Sequence, residues 1–295
     1  MKGAIDKIGD LINDWLRNML TGATLSNLRD LFDGIDTQVS WAAGELGKTP
    51  QGFNPEVFRM IQRLSDNVIL PIAGLVIAFF CTWELIQMIV ERNNMHEFGL
   101  SDLFKWIFKT SVTIFVVTNT WKIVMGIFEI SQFVTNEAAK VVSLSGMNTD
   151  AYLANFEKMM LDLNIGELLG LTIVSLLCSL AIKVIYVIIF IIVISRMIEI
   201  YLTTSIAPIP LATVLRKEGG HGMGINYIKN LCALGFQAFL IIVCIGIYSV
   251  LVRTMPLNTD GSVMLQLLTL IGYTVLLCLA MLKSGNLAKS IFNAR

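Results

Sequence analysis

The chain has 295 residues, 55% of them hydrophobic and only 15% charged, with a mean hydropathy of +0.70. Its 22 basic and 22 acidic residues cancel, so no overall charge steers it toward nucleic acid. The 5 cysteines, Cys81, Cys178, Cys232, Cys244 and Cys278, all fall in apolar stretches, where thiols behave as small hydrophobes rather than as a disulfide framework.

Residues 1–66 form a polar N-terminal region. Ile5, Ile8, Leu11, Ile12, Trp15, Leu16 and Met19 recur at helical spacing opposite Asp6, Asp10, Asn13 and Asp14. The aspartates interrupt any apolar run, so a secretory signal is not expected there. A second amphipathic run carries Leu25, Leu28, Leu31, Phe32, Ile35 and Val39. Such helices either pack together or lie on a bilayer surface, or their apolar faces dock a partner, with Ile8, Ile12 and Trp15 as the candidate contacts. Ala42 to Thr49 loosely fits a phosphate loop, but helical periodicity precedes it and Pro50, Gly52 and Pro55 follow, so a linker is expected. Asn54-Pro55-Glu56 then offers an N-cap, a first-turn proline and a first-turn acid.

Five apolar blocks follow: Val68 to Val90, Thr110 to Phe128, Leu168 to Ser195, Leu231 to Val252 and Ser262 to Leu282. Each approaches or exceeds the roughly 20 residues that carry a helix across ~30 Å of hydrocarbon. Between the third and fourth lies Ile200 to Leu215, where Pro208 and Pro210 each remove a backbone donor, so a broken, re-entrant or interfacial segment is expected. The fold class is therefore all-α: a polytopic membrane bundle of about five crossings over residues 67–282, with a cytoplasmic tail at 283–295.

Lysines and arginines near the span ends set the expected orientation. Arg92, Lys105, Lys109, Arg196, Arg216, Lys217, Lys229, Lys283, Lys289 and Arg295 mark one side, against Arg59, Arg63, Lys140, Lys158 and Arg253 on the other. The larger set marks the cytoplasm. The N-terminus and residues 1–66 are then outside and the C-terminus inside.

Polar residues inside the blocks fall on faces three and four residues apart. Glu84, Gln87 and Glu91 share one; Thr118, Asn119, Lys122 and Glu129 share another; Ser175, Ser179, Lys183 and Tyr186 share a third, continued by Arg196 and Glu199. Charges at membrane depth are costly, so these either pair within the bundle, for example Glu84 with Lys183, or line a hydrated path or a subunit interface. No catalytic, cofactor-binding or metal-ligating set is expected. HExxH and GxSxG are absent, GGHGMG at Gly219 to Gly224 does not match a dinucleotide fingerprint, and His96 and His221 lie in separate loops.

Three stretches together resemble the TrbL-like family, the polytopic membrane subunits of conjugative type IV secretion systems: NPEVFRMIQRLSDNVILPIAG with the following WELIQMIVERNN, then RMIEIYLTTSIAPIPLATV, then NYIKNLCALGFQAFLIIV. The resemblance implies a non-enzymatic channel or structural subunit for DNA transfer in the cytoplasmic (inner) membrane of a bacterium. It implies a homo-oligomer in contact with membrane lipids, with surface-fibre subunits outside and with partner ATPases, and transferred DNA or protein as possible cargo. The competing reading is a secondary transporter or small-solute channel, which would also use intramembrane Glu84, Lys122, Glu129 and Lys183 and a broken segment. Five spans do not divide into equal halves, which speaks against it.

Overall fold

The computed structural model describes residues 2–91, 100–142, 149–161, 163–214, 222–254 and 263–294. His96, His221, Arg92, Arg216, Lys217 and the start of the GGHGMG loop lie outside the described residues.

Among the described residues every regular element is helical. The two amphipathic runs near the N-terminus are one helix, α1 (Lys2–Leu46), because nothing between Met19 and Leu25 breaks it: Gly22 alone is tolerated in a helix interior. Residues 42–46 of the loose phosphate-loop pattern are its last turn. Thr49 accepts from the amide of Gly52 at 3.0 Å and caps the single turn α2 (Pro50–Phe53). Asn54 accepts from the amides of Glu56 and Val57, both at 3.1 Å, and caps α3 (Pro55–Leu64) as its sequence predicts. A π-helical turn, Ser65–Ile69, carries α3 into α4 (Leu70–Glu91) without interruption.

The second apolar block differs from a straight span. It is split between α5 (Leu100–Thr118) and α6 (Thr120–Val141), which meet at a 66° bend around Asn119. The cause is local. Thr118 Oγ1 donates to Ile114 O at 2.9 Å, Asn119 Nδ2 to Phe115 O at 2.9 Å, and Thr120 Oγ1 to Val117 O at 2.7 Å. Three successive side chains bonding back to carbonyls compete with the helical ladder and open it. The chain continues through α7 (Thr149–Leu161), α8 (Ile165–Ser205), the single turn α9 (Pro208–Leu211), α10 (Met223–Arg253) and α11 (Val263–Ile291). Among the described residues, 4 helices are long and apolar enough to cross a membrane, or 5 with the bent pair as one span. The chain is thus an all-α polytopic membrane helical bundle.

The chain divides into two compact units. Unit 1 holds residues 1–45, 138–193 and 241–283; unit 2 holds 46–137, 194–240 and 284–295. In unit 1, α1 and α8 run side by side in the same direction. Thr24 and Thr172 share a hydrogen bond of 2.8 Å, Asn27 Nδ2 donates to Ser175 Oγ at 3.1 Å, and Gln38 Nε2 donates to Tyr186 O at 3.2 Å. Trp41 stacks on Phe190 with ring centroids 5.4 Å apart. Each hydrogen-bonded pair is separated by 148 residues, so the register is constant along the contact. Gly34 lets Tyr186 lie against the α1 backbone and donate to Leu31 O at 3.2 Å; a Cβ at Gly34 would overlap the tyrosine.

Unit 2 is built on an apolar core that includes Ala73, Ile77, Val117, Phe128, Met197 and Leu211. In it α4 and α5 form an antiparallel pair. Trp106 Nε1 donates to Cys81 O at 3.1 Å, and Thr110 lies against Cys81 Sγ at 3.4 Å.

Candidate functional site

The polar groups of unit 2 gather around the end of α8 and the α9 turn. Pro208 opens α9, where its missing N–H costs nothing, and Pro208, Pro210 and Leu211 are all buried. The turn closes locally: the Ala212 amide donates to Pro208 O at 3.0 Å and Thr213 Oγ1 donates to Pro210 O at 2.8 Å. Gly224, at the start of α10, approaches this turn closely enough that a Cβ would stand 2.7 Å from Pro210 O.

Among the described residues Arg196 is the most buried charge, only 6% exposed. Its guanidinium forks onto α10, Nε donating to Leu234 O and Nη2 to Gly235 O, each at 3.3 Å. A carbonyl in a helix keeps a second lone pair, so the arginine is satisfied without breaking the ladder. Gly235 makes the approach possible. A Cβ there would overlap Ser131 Oγ and sit 2.9 Å from Ser131 Cβ, so α6 and α10 touch through a residue without a side chain. One turn beyond Arg196, Glu199 accepts from Lys289 Nζ at 3.1 Å.

A second polar group lies where α4, α5 and residue 212 meet. Glu84 and Lys109 form an ion pair in a small cleft also lined by Cys81, Thr110, Thr113 and Ala212. Lys109, from α5, is the partner of Glu84, in place of Lys183. Gln87, one turn on, is half-buried. The face expected to join Thr118, Asn119, Lys122 and Glu129 is interrupted by the bend, and Lys122 and Glu129 are exposed. On α8, Ser175 and Ser179 are buried, and Ser175 bonds α1, whereas Lys183 is exposed. Ile8, Ile12 and Trp15 are exposed on α1.

Leu234 and Gly235 are not singled out by the sequence, and Lys109 only as a marker of orientation. Backbone acceptors carry no sequence signal. Gly235 does carry one, a lone glycine in an apolar span, and such a residue marks close helix approach.

Chemically, the site joins helices through part-buried ion pairs and a buried arginine–carbonyl contact. Among the described residues no group of three or more His, Cys, Asp or Glu side chains could hold a metal ion. A family model described as TrbL/VirB6 plasmid conjugal transfer like protein matches residues 35–208, more than half of the chain.

The chain belongs to the TrbL/VirB6 family.

The match runs from within α1 to the first proline of α9. It includes Glu84, Lys109 and Arg196, the whole of the first stretch that carries the sequence resemblance and the second as far as Pro208; the rest of the second and the third, in α10, lie beyond it. No curated protein and no solved structure matches the chain. Membership of TrbL/VirB6 makes it a multi-pass inner-membrane subunit of a conjugal transfer system, associated with other components of that system. The family is one of structural secretion-system subunits and is not a known enzyme family.

Proposed function

We propose that this TrbL/VirB6 protein acts as a structural or channel subunit of a conjugative type IV secretion machine, working through oligomerisation and partner contacts. The N-terminal end of α1 faces outward and the C-terminus lies in the cytoplasm. Outer contacts would include surface-fibre subunits, and inner ones the ATPases that supply energy. The observation that carries this reading is the apolar face of the first turns of α1. Ile8, Leu11, Ile12, Trp15 and Met19 are all exposed, Trp15 at 63%. A soluble end would not keep five large apolar side chains open on one face, and partner docking gives them a use.

Replacing Ile8, Ile12 and Trp15 together with polar residues tests it. Membrane insertion should persist, because the long apolar helices drive it. Recovery of partner subunits by affinity purification in mild detergent, and DNA transfer with it, should fall. Unchanged co-purification and transfer would leave the face a surface anchor and defeat the reading. Orientation is tested separately: a cysteine at Asn13 should react with an impermeant thiol reagent in intact cells, and one at Gly222 should not. The reverse pattern would invert the topology.

A further inference from the structure

α1 is too polar to cross a membrane by composition, yet it follows the most apolar helix of the chain residue for residue. At the 148-residue separation set by Thr24–Thr172 and Gln38–Tyr186, Asp30 stands level with Cys178 and Asp33 with Ala181. Both aspartates are exposed, as are Thr37 and Ser40 on the same face and Arg29 beside them, whose guanidinium is held by Asp150 of α7 at 3.6 Å. These levels fall in the middle of Leu168 to Ser195, where Lys183 is the single charge. Lipid has no partner to offer a carboxylate, so this face of α1 must be covered by protein or water.

Lys183 poses the same problem with the opposite sign. It is exposed on α8 among Leu176, Leu180, Val184 and Val187, which are all about half exposed or more. Among the described residues none of Asp30, Asp33 and Lys183 has an ion-pair partner. Copies related by rotation about the bilayer normal keep every residue at its own height. Two groups can therefore meet across such an interface only if their heights match. Asp33 lies two positions from Lys183 in this register, roughly 3 Å at 1.5 Å per residue, within reach of a lysine side chain.

We propose that the acidic face of α1 is covered by the Lys183-bearing face of α8 of a second copy of this chain, with Lys183 paired to Asp33 and Asp30. The two faces differ, so the contact is head-to-tail and repeats around a ring. This places residues 24–41 at membrane depth, where the charge pattern alone put the whole of 1–66 outside, and leaves only the end of α1 before them to project. The proposal rests on the oligomer inferred above and names the surface that builds it.

The test uses full-length protein in native membranes, with the native cysteines replaced by alanine and two differently tagged chains made in one cell. One chain carries Asp33→Cys and the other Lys183→Cys, so neither can crosslink within itself. Oxidation should give a mixed-tag dimer several-fold above that from Asp33→Cys with Leu169→Cys, whose second position is roughly 20 Å away along α8. In the protein with its native cysteines, Lys183→Glu should shift the complex to lower mass, and adding Asp30→Lys and Asp33→Lys should restore it. An oligomer of unchanged mass without the mixed-tag dimer overturns the pairing, as does a Lys183→Glu complex of wild-type mass. Labelling of Asp33→Cys by an impermeant maleimide also overturns it, and gives the acidic face to a water-filled path. A wild-type chain that is monomeric in mild detergent defeats the oligomer and this interface together, and native mass tells that case apart from the others.

Discussion

Tyr201 Oη donates to Pro50 O at 2.6 Å, joining the last turns of α8 to a residue 151 positions earlier. Tyr201 is buried with Phe58 and Ile61, so the bond forms out of water and fixes the α2–α3 corner against unit 2's own part of α8. Tyr201→Phe keeps the ring and deletes the donor. The expected cost is about 1 kcal/mol, plus the exposure of an unpaired carbonyl. Thermal unfolding in detergent should show a lower midpoint. An unchanged midpoint would mean that Pro50 O finds water when the tyrosine hydroxyl is gone.

Gly235 should tolerate no side chain while Ser131 stays in place. Gly235→Ala drives a methyl into Ser131 and should cost about 1–3 kcal/mol, the range for overpacked cores. Adding Ser131→Gly removes both overlapping atoms and should recover most of the loss, less the ~1 kcal/mol of a helical glycine. A Gly235→Ala protein as heat-stable as wild type would show that α6 and α10 separate freely.

Arg196→Lys keeps the charge and loses the fork. One ammonium reaches one carbonyl well, so the bond to Leu234 O or to Gly235 O is lost, worth about 1.5–3 kcal/mol for a charged donor. Reduced yield of folded protein by size-exclusion chromatography in detergent is the expected result. Equal yield would mean that only the charge matters at this position.

Glu84 and Lys109 should behave as a unit. Their side chains keep 27% and 30% of their exposure, so removing one partner should cost about 1–2 kcal/mol, below the ~3–5 kcal/mol of a fully buried pair. The double change Glu84→Gln with Lys109→Met should be milder than either single change. Thermal midpoints of the four proteins close the cycle, and strict additivity would show that the two side chains do not interact.

Local signals were readable without coordinates, and distant ones were not. The Asn54 cap and the Val68 to Val90 span are encoded within a few turns of chain, and both are present. The bend at Asn119 was missed because hydropathy counts Thr118, Asn119 and Thr120 as uncharged and passes over their hydroxyl and amide donors. Two amphipathic runs were read where one helix stands, since charge and apolar spacing change character near Gly22 while helix geometry does not. Glu84's partner depends on how α4 folds back on α5, and the acceptors of Arg196 are backbone atoms that every sequence has. The register of α1 on α8 joins segments 148 residues apart, beyond any periodicity argument.

That separation also governs the order of events during synthesis. α1 leaves the ribosome well before the stretch of α8 that it packs against, and 148 residues at about 5–20 residues per second take roughly 7–30 s. For that interval Leu28, Leu31, Phe32 and Ile35 have no α8 to cover them, although all four are buried in the finished fold. Unit 1 cannot close until residues 241–283 have also emerged. Assembly is therefore a late, post-insertional event, and a nascent chain halted before α8 should expose α1 to protease.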